Sequence, residues 1–338
     1  MLSRRQQRIL EAVVADYVAT AIPVGSEAIA RRHGLGVSPA TIRNEMSELE
    51  EQGYIAQPHT SAGRIPLDKG YRYYVESLME ETELPQAEQC RIRHQFHQVE
   101  RELEQWTRLA SAVLSSIVRN AAIITLPKAR QCRLKHLGLL SLHDFMALLV
   151  LVLKEAKLRQ QMLVFDSVVS QEELSAIAAK FNAAFAELTR HEIGAISLEP
   201  SPLEEQVARA VMSVMQVEDE VGYDEPYLDG LRHMFGQPEF ANSQRARAII
   251  EVLEQRSVLR EVLHEVLAGQ GVKVIIGDEN RQDALRECSL VVTSYGIPGE
   301  VGGVIGVVGP TRMHYALTIS TVRYLASVMN ELLSELYG

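Results

Sequence analysis

The sequence predicts an α+β protein with a small, mainly helical N-terminal part and a larger part built from two groups of strands. Three stretches of helical periodicity fill the first fifty residues, and a short strand, a polar turn and another short strand follow. Runs rich in Val, Ile and Leu occur before about residue 166 and again after about residue 272, with helical periodicity dominant between them. This order is expected of one α+β domain that carries an insertion.

Composition limits the kinds of partner that the chain can have. The 338 residues are 46% hydrophobic and 23% charged, as in globular proteins, and the formal net charge is −10. A wholly basic nucleic-acid coat is excluded, so any DNA-binding surface must be local. The three cysteines are far apart and favour a reducing cytoplasm. The most apolar run, Phe145–Leu153, is much shorter than the roughly 20 residues of a membrane span, so no membrane partner is expected.

The first eighty residues are predicted to begin with a helix-turn-helix. A helix over 3–20 is interrupted at Ile22–Gly25, and Ser26 is a predicted N-cap for a second helix that ends near His33. A short Gly-containing turn then leads to a third helix. This arrangement makes the third helix the candidate for DNA recognition.

The third helix has both ends marked in the sequence. Ser38 is a predicted N-cap, Pro39 suits the first helical position, and Gly53 suits the position just beyond the end. Three apolar residues at helical spacing predict a buried face, which is equally typical of an ordinary amphipathic helix. Asn44 is expected to pair with adenine, and Arg43 with guanine or phosphate. The candidate DNA-binding residues of this helix are Ser38, Ala40, Thr41, Arg43, Asn44 and Ser47.

A β-wing is predicted directly after this helix. Tyr54–Ala56 and Ile65–Pro66 are its strands, and His59–Arg64 is its polar tip. Arg64 offers a positive fork for phosphate or a narrow minor groove, and Gly63 allows close backbone approach. The candidate DNA contacts here are His59, Thr60, Ser61, Gly63 and Arg64, with Lys69 and Arg72 as weaker backbone contacts.

Four blocks of residues, in this order, resemble the HrcA family of heat-inducible transcription repressors. They are 22–26 (IPVGS), 38–46 (SPATIRNEM), 58–66 (PHTSAGRIP) and 70–74 (GYRYY), and further similar blocks lie at 236–240, 276–280 and 306–315. The resemblance implies a bacterial homodimer that binds the inverted-repeat CIRCE operator of chaperone operons. It also implies that the chaperonin GroEL sustains the active fold, so that heat, by drawing chaperonin to unfolded clients, frees the operator.

The resemblance also implies a GAF-like domain split by an inserted dimerisation domain. Together with the polar, proline-closed stretch at 80–85, it predicts four segments. These are a winged helix-turn-helix domain (1–82), the first part of the GAF-like domain (83–166), a mostly helical dimerisation domain (167–242) and the second GAF-like part (243–338). We also expect one long helix over 86–117, strands near 121–126, 134–142, 145–153, 161–165, 272–276, 290–293 and 303–308, and a final helix over 314–336.

Other motifs give weaker indications. Gly302–Thr311 lacks the Gly-Lys-Ser/Thr of a phosphate loop and is predicted to be a strand whose glycines allow close packing. His94 and His97 lack further ligands, so no metal site is expected. No Ser/His/Asp or paired-carboxylate spacing suggests catalysis, so neither a cofactor nor an enzyme activity is expected. The loop at Asp278–Asn280 leaves a ligand-sensing winged-helix regulator as an alternative. An enzyme with an incidental helix-turn-helix would instead show turnover without operator preference.

Overall fold

The structure, a computed structural model, describes most of the 338-residue chain. The described residues are 2–59, 62–80, 82–99, 102–129, 131–154, 158–196, 200–220, 226–241, 243–254, 271–298 and 300–337. Their mixture of helices and sheets confirms the α+β class.

Helices and strands alternate in groups along the chain. The α-helices are α1 (Arg4–Thr20), α2 (Ser26–Arg32), α3 (Pro39–Glu51), α4 (Asp68–Tyr73), α5 (Gln86–His97), α6 (Leu103–Val118), α7 (Gln171–Phe185), α8 (Arg190–Gly194), α9 (Pro202–Glu220), α10 (Leu231–Phe235), α11 (Ser243–Glu254) and α12 (Tyr315–Tyr337). The strands are β1 (Ile55–Ala56), β2 (Ile65–Pro66), β3 (Ala121–Ile124), β4 (Lys128–Ala129), β5 (Leu134–His143), β6 (Met146–Leu153), β7 (Leu158–Val164), β8 (Tyr227–Asp229), β9 (Lys273–Ile276), β10 (Cys288–Ile297) and β11 (Val301–Pro310). A π-helical turn at Tyr74–Leu78 follows α4, and 3₁₀ turns lie at Pro238–Phe240, Gly277–Glu279 and Asp283–Leu285.

Contacts divide the chain into two compact units. The first unit comprises Met1–Pro127, Tyr223–Ile297 and Gly303–Gly338, and the second comprises Lys128–Gly222 and Pro298–Gly302. Within the first unit, residues 2–80 are called the head here, and the remaining residues are called the body.

The head contains α1 to α4 and the β1–β2 ribbon. Ser38 accepts the Thr41 N–H at 3.2 Å, and Gly53 has φ +75° just after the C-cap of α3, so both predicted ends of α3 are confirmed. The predicted Ser26 cap is wrong. Gly25 is the N-cap of α2, and Ser26 already lies inside the helix, where its side chain is buried.

The body contributes five strands to a six-stranded sheet, in the order β8-β3-β11-β10-β9, and β4 pairs antiparallel with the start of β11. Helices α6 and α12 pack on one face, while α10 and α11 contribute to a separate hydrophobic cluster on strands of this sheet. The core beneath α12 continues into the head, since Leu10 and Met46 belong to the same buried cluster as Leu325 and Met329. Head and body therefore share one hydrophobic core.

The glycine-rich stretch predicted to be a strand, Gly302–Thr311, forms strand β11 up to Pro310, at the centre of the sheet. A Cβ on Gly303 would lie 2.6 Å from the Tyr295 ring, and one on Gly306 would overlap Val292. These glycines therefore permit close packing against β10.

One long helix over 86–117 was the wrong prediction for the start of the body. Helix α5 ends at His97, and α6 begins only at Leu103, after Glu102 in an extended conformation. The apolar periodicity of the two segments does not reveal this break. The predicted strands and the final helix are confirmed within one to several residues at their ends.

The second unit has its own sheet and its own core. Strands β5, β6 and β7 pair antiparallel in that order. Alternate residues of β6, from Ala147 to Leu153, are buried in one cluster with residues of α7 and α9. The sequence assigned these strands and helices to different segments, 83–166 and 167–242. The structure places them in one unit because the buried side of β6 faces these helices, and the four-segment division itself stays a prediction.

Candidate nucleic-acid interface

The outward face of α3 is polar near its N-terminus. Ile42, Met46 and Leu49 are fully buried beneath the helix, as the spacing predicts. Arg43 and Asn44 are exposed, and within the described part of the chain neither side chain has a hydrogen-bond or ion-pair partner. Ser38 and Ala40 are also exposed, and Thr41 and Ser47 are half-buried. The structure thus brings all six candidates of this helix to its outer side or its edges.

The acidic residues in the second half of α3 are held by neighbouring elements. Glu45 pairs with Arg5 of α1 at 3.0 Å, and Glu48 accepts a hydrogen bond from Gln6 at 2.8 Å. Glu50 accepts the backbone N–H of Gln57 at 2.9 Å. The pair with Arg5 offsets the charge of Glu45, whereas the bonds from Gln6 and Gln57 fix the Glu48 and Glu50 carboxylates in place. Arg5 and Gln6 were missed from the sequence because they lie about forty residues away from their partners.

The β1–β2 ribbon is anchored at its base to the segment between α1 and α2. Val24 and Arg64 exchange two backbone hydrogen bonds of 2.9 Å. A Cβ on Gly63 would lie 2.5 Å from the Val24 carbonyl carbon. The close approach predicted for Gly63 is therefore made to its own chain. His59 is exposed, and Thr60 and Ser61 lie outside the described residues.

Arg64 differs from the exposed fork expected from the sequence. Its Nε donates to Glu50 Oε2 at 3.0 Å, and its Nη2 donates to Ser47 Oγ at 3.2 Å. Only 14% of its side chain is exposed. The guanidinium therefore connects the ribbon to the second half of α3, because the Glu50 carboxylate within reach fixes it there.

Lys69 and Arg72 of α4 also have different surroundings. Lys69 is exposed, with Nζ 2.8 Å from the Gln52 carbonyl oxygen and 4.5 Å from the centre of the Tyr54 ring. Arg72 instead faces the body, where Nε donates to Glu279 Oε1 at 2.7 Å and Nη2 donates to the Val274 carbonyl at 2.8 Å. Burial acts to raise the pKa of Glu279, but hydrogen bonds from Arg72 and the Ile276 N–H outweigh it and hold that pKa below its ordinary value.

The sequence left a small-molecule site at the Asp278–Asn280 loop as an alternative. In the structure, Glu279 and Asn280 of this loop bind other residues of the protein. Glu279 binds Arg72, and the buried Asn280 side chain donates to three backbone carbonyls between Gly277 and Cys288. A cavity of about 450 Å³ lies elsewhere in the first unit, between α1, the segment 82–85 and the start of α12.

The second unit presents an exposed apolar sheet face. In register across the three strands are Leu140, Leu148 and Met162, and beside them Met146 pairs with Val164. Met162 and Val164 are 63% and 61% exposed. Contiguous apolar patches of this kind mark interaction surfaces in proteins. No helix in the described part of the chain is long and apolar enough to cross a membrane.

Comparisons with known proteins agree on one family. The family model "HrcA protein C terminal domain" matches residues 104–319. The heat-inducible transcription repressor HrcA of Dehalococcoides mccartyi (strain ATCC BAA-2266 / KCTC 15142 / 195) is 46% identical over 338 residues, covering 100% of this chain and 98% of the relative. The protein of the same name from Roseiflexus castenholzii (strain DSM 13941 / HLO8) is 45% identical, with 100% and 96% covered.

One solved structure also has a similar fold. It is a crystal structure of a hypothetical protein at 2.2 Å resolution, with a TM-score of 0.59 and 22% identity, and the match covers 99% of this chain and 98% of that chain. The matches in sequence extend from the head to α12 and carry the name of a regulator rather than an enzyme. This chain belongs to the HrcA family of heat-inducible transcription repressors.

Proposed function

We propose that this protein represses transcription by binding an inverted-repeat operator of the CIRCE type as a homodimer. The observation that carries the proposal is α3, whose exposed N-terminal half combines small side chains with an Arg and an Asn that have no side-chain partner among the described residues. Such a helix fits a major groove and offers hydrogen bonds to base edges. The relatives named above supply the repressor class.

Within this proposal, the head is a winged helix-turn-helix with α3 as its recognition helix. Asn44 pairs with adenine, and Arg43 contacts guanine or phosphate. Ser38, Ala40, Thr41 and Ser47 line the same contact. The β1–β2 ribbon is the wing, and its exposed His59 approaches the DNA backbone. Thr60 and Ser61, outside the described residues, stay candidate contacts, whereas Gly63 packs against its own chain.

The basic residues beside α3 take different roles. Lys69 is exposed near the end of α3 and contacts phosphate. Arg64 and Arg72 already have carboxylate partners, so we assign them to support of the wing and of α4 from behind. This division narrows the direct contacts expected from the sequence.

The exposed sheet face of the second unit is proposed as the dimer contact. A two-fold axis lets the same apolar patch bind a second copy of itself, which hides Leu148, Met162 and their neighbours from water. Two recognition helices then read two halves of an inverted repeat. We propose the second unit as the inserted dimerisation domain, in place of the segment 167–242 expected from the sequence, and the body as the GAF-like domain that it interrupts along the chain.

The regulatory part of the proposal comes from family membership. Chaperonin sustains the active fold, and heat removes that support, so the operator is released. The folding of a chain with an interrupted domain and an apolar sheet face fits such dependence. Operator binding places the protein in the cytoplasm.

Binding to a labelled inverted-repeat operator tests the proposal. Affinity is measured at fixed salt, with and without chaperonin, against a scrambled duplex of the same length. We expect operator preference of at least about 10³-fold. Equal affinity for both duplexes would refute operator recognition.

The dimer contact has its own test. We expect Leu148→Glu and Met162→Glu to shift the protein from dimer to monomer in analytical ultracentrifugation, because each charge would be buried. Ile22→Glu is the control for Met162→Glu, since Ile22 is an apolar residue of the head and is as exposed, at 65%, as Met162 at 63%. A wild-type monomer, or dimeric variants, would contradict this assignment.

A ligand-sensing regulator is the second candidate. The observation in its favour is the cavity of about 450 Å³, which touches α1 of the head and the start of α12. A metabolite that shifted operator affinity without chaperonin would support this alternative.

A further inference from the structure

The junction between head and body contains two arginine contacts that the proposed reading surface does not use. Arg312 lies between β11 and α12, and Arg72 lies in α4 of the head. Each guanidinium joins a residue of the head to a residue of the body. Both arginines lie within the first unit, so their contacts belong to one compact unit.

Arg312 joins the end of α1 to the 3₁₀ turn that follows α10. Its Nη1 donates to the Val18 carbonyl oxygen at 2.8 Å, and its Nε donates to Glu239 Oε1 at 2.5 Å. Nη2 donates to Gln237 Oε1 at 3.3 Å. The side chain is 13% exposed, so water competes weakly for these bonds. Val18 lies two residues before the end of α1, close to the turn that leads to α2.

Gln237 extends this contact deeper into the body. Its Nε2 donates to Asn120 Oδ1 at 2.7 Å. Asn120 is buried between α6 and β3, and its own amide donates to the Val118 carbonyl. The end of α1 is therefore connected through Arg312 to the sheet of the body.

Arg72 makes the second connection, to the loop after β9. Arg72 bonds to Glu279 and to the Val274 carbonyl. In the same helix, Asp68 accepts the Asp278 N–H at 2.9 Å. Gly277 has φ +51°, and a Cβ there would overlap the Asp68 carboxylate. The loop is thus shaped to admit Asp68.

Packing between the two connections is continuous. Tyr71 of α4 and Tyr315 at the start of α12 are both 1% exposed, with ring centres 5.9 Å apart. The Tyr315 hydroxyl is fixed by Ser289 at 2.7 Å. The contacts of Arg72 and Arg312, together with the packing of Tyr71 on Tyr315, therefore hold the head in one orientation on the body.

We propose that Arg72 and Arg312 are positioning residues that fix the orientation of the head on the body and thereby select the half-site spacing of the operator. The inference rests on the proposed binding of a dimer to an inverted repeat. Two recognition helices must enter grooves at a set separation and rotation around the duplex. A head fixed on its body favours one spacing, whereas a head that swings accepts several spacings at a greater entropic cost.

A set of operators with identical half-sites and spacers that differ by single base pairs over one helical turn tests this inference. We compare the full-length wild type with Arg312→Gln and Arg72→Gln by fluorescence anisotropy at fixed salt. The wild type should show one spacing optimum. In each variant we expect the ratio between the best and the neighbouring spacings to fall by roughly three- to tenfold, since linked sites depend on geometry by such factors or more. Binding to a single half-site should remain unchanged.

Two further variants separate orientation from general stability. The charge swap Arg72→Glu with Glu279→Arg should recover most of the spacing preference that each single reversal loses. Arg93→Gln is the matched control, because Arg93 pairs with Glu331 at 3.2 Å within the body and both side chains are 54% exposed. It should leave the spacing profile as in the wild type. If Arg312→Gln does not fold by circular dichroism, the swap at Arg72 and Glu279 decides the question.

The possible outcomes distinguish this inference from the proposed function. A wild type without any operator preference refutes the proposed function. A wild type that prefers the operator but tolerates all spacings equally refutes the positioning role. The same holds if folded variants keep the wild-type profile, or if the charge swap restores nothing.

Discussion

The side chains on the outer face of α3 differ from Arg64, Arg72 and Arg312 in what they already bind. Arg43 and Asn44 are exposed and without partners among the described residues. Arg64, Arg72 and Arg312 each bind a carboxylate and at least one further acceptor. This difference shows that a basic residue near a candidate recognition helix is available to DNA only when it is not already paired with a carboxylate of its own protein.

The comparison also separates two kinds of contribution to recognition. Side chains on the outer face can change which bases are preferred. Arg64, Arg72 and Arg312 can change how rigidly α3 is held and the angle at which it meets DNA. Variants of the two groups should therefore differ in which measurement responds.

The largest effect is expected from Arg64→Gln. Removing one partner of a charged hydrogen bond at a mostly buried site should lower the free energy of unfolding by about 1.5–3 kcal/mol, measured in urea. The salt dependence of DNA binding should stay as in the wild type. Arg5→Gln is the control, because its pair with Glu45 is more exposed and should contribute at most about 1 kcal/mol. Normal stability with a reduced salt slope would instead make Arg64 a phosphate contact.

Asn44→Ala should act on sequence preference and leave stability unchanged. Loss of a bidentate contact to a base costs about 1–3 kcal/mol, so operator affinity should fall roughly 5- to 150-fold. Binding to scrambled DNA should change little. Glu51→Ala, an exposed position at the far end of the same helix, serves as the control. Equal losses on both duplexes would remove Asn44 as a base reader.

Ser38 has two roles that substitutions can separate. Ser38→Ala removes the cap that accepts the Thr41 N–H and should cost about 1 kcal/mol of stability. Ser38→Asp keeps the cap and the stability but adds a negative charge at the start of α3, so DNA binding should weaken. Thermal unfolding and anisotropy measure the two effects. Undiminished DNA binding by the Asp variant would show that this end of α3 does not face phosphate.

The smallest effect is expected from Lys69→Ala. If Lys69 contacts one phosphate, the slope of log K against log salt should decrease by about 0.9. Sequence preference should remain. Lys69→Arg keeps the charge and should keep the slope, and a slope unchanged in the Ala variant would exclude this contact.

Local patterns were enough to predict much of the secondary structure. The cap at Ser38, the glycine after α3 and the buried face of Ile42, Met46 and Leu49 depend on neighbours within one or two helical turns. The predictions failed where local signals were equivocal. Residues 86–117 keep an apolar periodicity across a break, and Ser26 is a plausible cap one residue too late.

The candidate site was predicted only in its local part. The sequence indicates which residues lie on the outer side of α3, because helical geometry alone decides it. It gives no sign that Arg64 binds Glu50, that Arg72 binds a residue 207 positions away, or that Arg312 binds one 294 positions away. Nor does it show that helices from another predicted segment cover one face of the β5–β7 sheet and leave its other, apolar face exposed.

The sequence by itself determined the α+β class, the order of most elements and the family, and it predicted α3 as the recognition helix. These depend on periodicity, caps and residue blocks, which are read along the chain. The tertiary structure alone decided which charges are already paired, where the two units divide and which apolar face is exposed. Such properties depend on residues distant in sequence that become neighbours only when the core closes, because the partner of a charge and the cover of a strand are set by packing.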